Sequence, residues 1–224
     1  ERLHALRDGL GKGAAELPTL VANADDEDEL RAMCEQTRVI ISTVGPYALY
    51  GGLLVKACAD TGTDYCDLCG EPQWVARMAE THHDAARASG ARIVHSCGFD
   101  SIPSDMGVWY LQQQAQKSWG KPCQHIQMRV GKTKGGVSGG TVASMFNLAR
   151  EASKDAKLRK QLADPYMLCP PDHGFRARQK EQKIARYDRD FKQWTAPFVM
   201  AAINTRVVHR SNALLGSAYG DDFR

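Results

Sequence analysis

The sequence predicts an α/β protein: an incomplete Rossmann-type parallel sheet over residues 1–116, followed by part of a mixed α+β domain over residues 117–224. Three observations predict it. Short apolar segments alternate with amphipathic helical ones up to residue 95, the order expected of an open parallel sheet. Two of those segments run into Gly-containing loops, Ser42–Tyr47 and His95–Asp105, where such sheets bind ligands. After Gly120 the pattern changes to strict alternation and a Gly-rich turn.

The elements follow in order. Glu1–Arg7 reads as the tail of a helix, and Thr19–Ala22 as a short apolar strand. Asp26 and Glu29 have the spacing of a capping box, and the helix to about Gln36 carries Leu30, Met33 and Cys34 on one face. Arg38–Val44 is the next strand; its run Val39-Ile40-Ile41 fits burial on both faces. Leu49, Leu53, Leu54, Ala57 and Cys58 recur at helical spacing until Gly62, and Tyr65–Leu68 is the third strand. Pro72 suits the first position of a helix with a 3.6-residue period through Trp74, Val75, Met78 and Ala86, stopped by Gly90. Ala91–His95 is the fourth strand. A helix then starts at Pro103, with Met106, Trp109 and Tyr110 expected on its inner face.

In the second half, Gln124–Val130 alternates as a half-exposed strand does. Gly135–Gly140 leads into a helix bearing Val142, Met145, Phe146, Ala149 and Ala152. Residues 165–197, with Pro165, Pro170, Pro171 and Pro197, read as a long loop, and Ala201–Val208 as a buried segment.

Composition bounds the function. The net charge is +3, but residues 1–100 hold nine basic and sixteen acidic residues, and residues 150–194 hold twelve basic and seven acidic. The basic stretch reads as a solvated face; a phosphate-bearing ligand is the sharper alternative, and nucleic acid is not expected as a partner. No run reaches membrane-spanning length, so a soluble, cytoplasmic protein is expected. Seven scattered cysteines argue against a disulfide framework. Cys66-Asp67-Leu68-Cys69 is the one Cys-x-x-Cys. It lies at a strand end without a second ligand pair, so buried thiols rather than a metal or redox centre are expected.

Gly9–Ala14 has the glycines of a dinucleotide fingerprint but follows a helix, so it reads as a helix end and loop. Thr43, Val44, Gly45, Pro46 and Tyr47 are better placed to meet a ring or ribose. Cys97, Gly98, Phe99 and Asp100 lie in the second strand-end loop. Gly45 and Gly98 permit close backbone approach. Asp100, Ser101, Ser104 and Asp105 form a polar cluster that capping explains only in part; Asp100 is expected to face the crevice and Asp105 to serve the helix dipole. Gly135–Thr141 could bind an anion or be a plain loop. His82 and His83 face different ways on a helix, and His95 reads as a strand histidine rather than a catalyst.

Thr43-Val44-Gly45-Pro46-Tyr47, then Gly62-Thr63-Asp64-Tyr65-Cys66-Asp67-Leu68-Cys69-Gly70-Glu71, then Gly98-Phe99-Asp100-Ser101-Ile102-Pro103-Ser104-Asp105, in that order, resemble the saccharopine dehydrogenase-like oxidoreductases. The branch most resembled includes the trans-acting enoyl reductases, and Ser138-Gly139-Gly140-Thr141 extends the likeness along the chain. The resemblance implies an NAD(P)-binding Rossmann domain and an oxidoreductase acting on a small molecule, with NADP slightly preferred. It places the two strand-end loops at the cofactor. Asn23 stands where similar proteins often carry Asp, near the adenine side. The family's opening Gly-rich phosphate loop is absent from these 224 residues, so an internal fragment that binds dinucleotide poorly is expected. A non-catalytic scaffold or lipid-associated member is the alternative, and a homodimer is an open expectation.

Overall fold

The computed structural model describes residues 2–132, 134–136 and 138–224. The chain opens with α1 (Arg2–Gly9) and α2 (Glu27–Cys34), then alternates β1 (Val39–Ser42), α3 (Tyr47–Tyr50), α4 (Gly52–Thr61), β2 (Asp64–Asp67), α5 (Pro72–Ser89) and β3 (Ile93–Val94). The three strands form one parallel sheet in the order β1-β2-β3. Gly62 and Gly90 take φ of 75° and 85° and close α4 and α5, a left-handed step for which glycine carries no Cβ penalty.

Register decides which face is core. Ile40, Tyr65 and Ile93 lie side by side and pack with Leu54, Val55, Cys58, Trp74, Val75 and Met78 beneath α4 and α5. The neighbouring row, Ile41, Cys66 and Val94, points the other way. Ile41 is 72% exposed and Val94 52%, so β1 is buried on one face rather than two. An apolar run cannot by itself distinguish these cases.

Asp26 caps α2 by accepting the Glu29 N–H at 3.0 Å, but Glu29 reaches Asn23 N–H at 2.7 Å instead of closing the reciprocal half of the box. Thr19–Ala22 is not a strand. Among the described residues no strand lies beside it, and Val21 is 86% exposed.

The rest comprises α6 (Ile102–Trp119), α7 (Gly139–Lys154), α8 (Ala156–Leu162), an antiparallel pair β4 (Arg186–Asp188) and β5 (Gln193–Thr195), and α9 (Ala201–Leu214). The β4–β5 pair interrupts the expected loop. Gln124–Val130 is irregular: Ile126 N–H donates to Arg224 O and Arg224 N–H to Gln124 O, too few bonds for a ladder. The expectation at Val137 falls outside the described residues.

The inner face of α6 differs from expectation. Ser104, Asp105, Gln112 and Ala115 are buried, while Met106, Trp109 and Tyr110 are exposed. The reason is α9, which presents polar groups to α6. Asn204 accepts from Ser101 Oγ at 3.0 Å and donates to Ser104 Oγ at 3.1 Å, and Ser211 Oγ donates to Asp105 at 2.9 Å. Three of the four residues in the polar cluster are therefore accounted for by helix docking.

Candidate functional site at the strand ends

The carboxyl ends of β1, β2 and β3 carry three adjoining connections. The first turns at Gly45-Pro46, a cis peptide, into α3. Pro46 offers α3 no side-chain cap, and the cap comes from the second connection. Glu71, 2% exposed, accepts Tyr47 N–H at 2.8 Å and Ala48 N–H at 3.1 Å. A carboxylate suits a helix N-terminus, whose free N–H groups carry partial positive charge. Glu71 also accepts from Ser144 Oγ of α7 at 2.8 Å, so α7 is tied to the second connection.

Tyr47 is buried and points inward. Its hydroxyl donates to Ser42 O at 3.0 Å and accepts Leu68 N–H at 3.4 Å. Burial pushes its pKa up to about 12, with Asp67 adding to the effect, so the phenol keeps its proton. The thiols behave likewise. Burial raises Cys69, and burial with the neighbouring Cys66 and Asp67 raises Cys97, so neither is an activated thiolate.

The second and third connections meet at Asp67, the last residue of β2. Its carboxylate accepts Ser96 N–H at 2.8 Å and Cys69 N–H at 2.9 Å and lies 2.7 Å from His95 Nδ1. Its carbonyl accepts Cys97 N–H at 2.6 Å. Gly98 presses on Leu68: a Cβ on Gly98 would sit 2.7 Å from Leu68 Cβ. Gly45 is looser, its nearest neighbours being the Tyr47 ring at 3.6 Å and Ser144 Oγ at 3.8 Å.

Of the expected site residues, Thr43, Val44, Phe99 and Asp100 are exposed at the strand ends, Gly45, Pro46, Cys97 and Gly98 are half-buried there, and Tyr47 lies behind them. Asn23 is exposed on the segment before α2.

Residues 5–94 match the family described as Saccharopine dehydrogenase NADP binding domain. The trans-acting enoyl reductases of Mycobacterium tuberculosis and Mycobacterium leprae are 40% identical over 232 and 233 residues. A second Mycobacterium tuberculosis protein, provisionally named a trans-acting enoyl reductase, is 44% identical over 230. The chain is thus similar along its whole length to saccharopine dehydrogenase-like proteins, and its first part matches their NADP-binding domain. Each alignment covers all of this chain and 55% of the relative, so the chain spans about half the length of the curated relatives it matches. No solved structure matches it.

In this saccharopine dehydrogenase-like chain the matched region takes in all three strands of the parallel sheet. Sequence reading singles out neither Asp67 nor Glu71 and reads His95 as a strand histidine; the structure places all three at the strand ends. The signal was available: two acids close the segment Asp67–Glu71 at a strand end, and His95 occupies the corresponding place one strand over. An open depression of about 540 Å³ is lined by Arg38, Thr61, Gly62, Asp64 and Arg92. It lies at the amino ends of the strands, the wrong end for a ligand of a parallel α/β sheet.

Proposed function

We propose that the chain is the nucleotide-binding and adjoining part of an NAD(P)-dependent enoyl reductase acting in trans, with NADP preferred. The observation that carries this reading is 40–44% identity along the whole chain to trans-acting enoyl reductases. The NADP-binding region falls on the strands whose ends bear the candidate loops. When bound, the reduced nicotinamide supplies the hydride; the chain's part is to hold and orient it. Thr43, Val44, Gly45, Pro46, Cys97, Gly98, Phe99 and Asp100 form the contact surface in this reading, and Asn23 serves the adenine side. Phe99, Ile102 and Met106, left exposed at one face around the start of α6, adjoin that surface and suit an acyl chain. Carried over from the enoyl reductases it resembles, the substrate class in this reading is an α,β-unsaturated acyl group.

Titration of the intact protein with NADPH and NADH, followed by protein fluorescence, tests the reading. Saturable binding of either, with NADPH consumed when an enoyl thioester is added, supports it. A protein that binds neither nucleotide overturns it in favour of the non-catalytic scaffold.

A further inference from the structure

We infer that Asp67, acting with His95, is the residue that positions the strand-end loop Cys97–Asp100 against the cofactor; this rests on the reading proposed above. Asp67 closes the middle strand and is 2% exposed. A local turn explains one of its bonds, the Cys69 N–H. It does not explain the other two bonds of the carboxylate, from Ser96 N–H and His95 Nδ1, both of which come from the neighbouring strand's loop; beside them the Asp67 carbonyl accepts Cys97 N–H.

The loop is seated without slack. Ser96 has φ of 61°, a region unfavourable for a residue with a side chain, and it is tied at both ends. Its N–H goes to Asp67 and its Oγ donates to Cys69 O at 2.8 Å. Two residues on, Gly98 has no room for a side chain beside Leu68. His95 fixes the carboxylate from the other side. Its side chain is 8% exposed, its ring edges against Trp74 and Tyr65, and a carboxylate partner requires the proton on Nδ1. Trp74 in turn packs on Tyr47, whose hydroxyl holds Leu68 N–H, so the same network reaches the first loop.

The variants Asp67→Ala and Asp67→Asn test this. In Asp67→Ala, hydrogen exchange at Ser96, whose N–H loses its acceptor, should rise more than about tenfold while Val55 and Cys58 in α4 stay unchanged, and the Kd for NADPH should rise about tenfold. Asp67→Asn keeps an acceptor for Ser96, so exchange there should stay near wild type. Its amide would face His95 as a donor, so ring nitrogen shifts should report a change from the Nδ1–H to the Nε2–H tautomer. A merely structural role would raise exchange at Ser96, Val55 and Cys58 together, and that result overturns the proposal. So does unchanged exchange at Ser96, or unchanged NADPH affinity once the loop is loosened. If Asp67→Ala does not fold, an unchanged His95 tautomer in Asp67→Asn overturns it. A wild-type protein that binds neither nucleotide removes the functional reading, and the exchange measurements still decide whether Asp67 holds the loop.

Discussion

Residues 27–97 and residues 121–224 are held together in different ways. In the first region the sheet ladder satisfies the backbone, and the side chains beneath it are free to be apolar around Trp74, Tyr65 and Val55. In the second, long irregular stretches leave carbonyls without a ladder, and side chains take its place. Arg210 donates to Leu168 O at 2.5 Å, Tyr166 Oη to Ala177 O at 2.7 Å, Gln179 to Phe223 O at 3.0 Å and Gln182 to Thr195 O at 3.0 Å. Arg206, 4% exposed, donates to Leu162 O and Ala202 O. Buried backbone groups must be paired wherever they lie. Irregular chain therefore recruits the buried Arg206 and the half-buried Arg210, Gln179 and Gln182 for a task that the ladder performs in a sheet.

The largest expected effect compares one tryptophan from each region. Trp74→Ala empties the centre of the apolar core and should cost about 3–5 kcal/mol. Trp194→Ala, at a residue 73% exposed in the β4–β5 pair, should stay within about 0.5 kcal/mol. Denaturant unfolding of both variants measures the contrast, and equal costs would break it.

A pH experiment isolates the second region. His209 is buried on α9 between Tyr166 and Phe223, and burial, with Arg206 and His173 adding repulsion, lowers its pKa to about 4 from 6.5. The unfolded chain then binds more protons than the folded one between those values. Stability contributed by neutral His209 is present above pH 6.5 and lost as pH falls toward 4. The loss is at most about 3 kcal/mol. His209→Gln should flatten this part of the profile, whereas a parallel fall in both proteins would show that other groups titrate.

The same contrast explains what was legible. The parallel sheet and its helices were readable because Leu54, Ala57, Cys58, Trp74 and Met78 repeat at the spacing of their buried face. Bonds from Arg210, Gln179 or Gln182 to distant carbonyls have no period, so nothing in the sequence announces them. The Gln124–Val130 alternation shows the converse: without a partner strand the pattern fixes neither a ladder nor faces, and Met128 and Val130 lie exposed while Arg129 is half-buried. At the site, the loops were legible from their glycines. Asp67, Glu71 and His95 were marked only by their places at strand ends, because a buried carboxylate that binds amides of an adjoining connection looks the same in sequence as a surface acid.

Within the site, the two glycines should respond unequally. Gly98→Ala brings a Cβ against Leu68 Cβ, close to the backbone and unable to swing away, and should cost about 1–3 kcal/mol. Gly45→Ala meets only ordinary contacts and should cost less than about 1 kcal/mol. Thermal unfolding of the pair checks this. A loss of nucleotide affinity in Gly45→Ala with the melting temperature held would mark Gly45 as a cofactor contact, as the family likeness implies.

Asp105→Asn should have the smallest effect, and its sign should depend on pH. Asp105 lies in the first turn of α6, where a carboxylate is favoured by about 0.3–1 kcal/mol, yet α9 covers it. Ser211 donates to one oxygen, and the other has no partner. Burial outweighs the Ser211 bond and raises the carboxyl pKa above its ordinary 3.8. The folded state then holds the proton more tightly than the unfolded one. Stability from protonated Asp105 is full below that ordinary value and is lost as pH rises through the folded pKa. Asparagine keeps an acceptor for Ser211, places a neutral amide at the unpartnered position and removes the titration. Wild type and Asp105→Asn should therefore diverge by no more than about 1 kcal/mol, with the variant gaining relative to wild type between pH 4 and pH 7. A variant that instead loses ground as pH rises would mean that the helix dipole governs Asp105, and that α9 does not bury it.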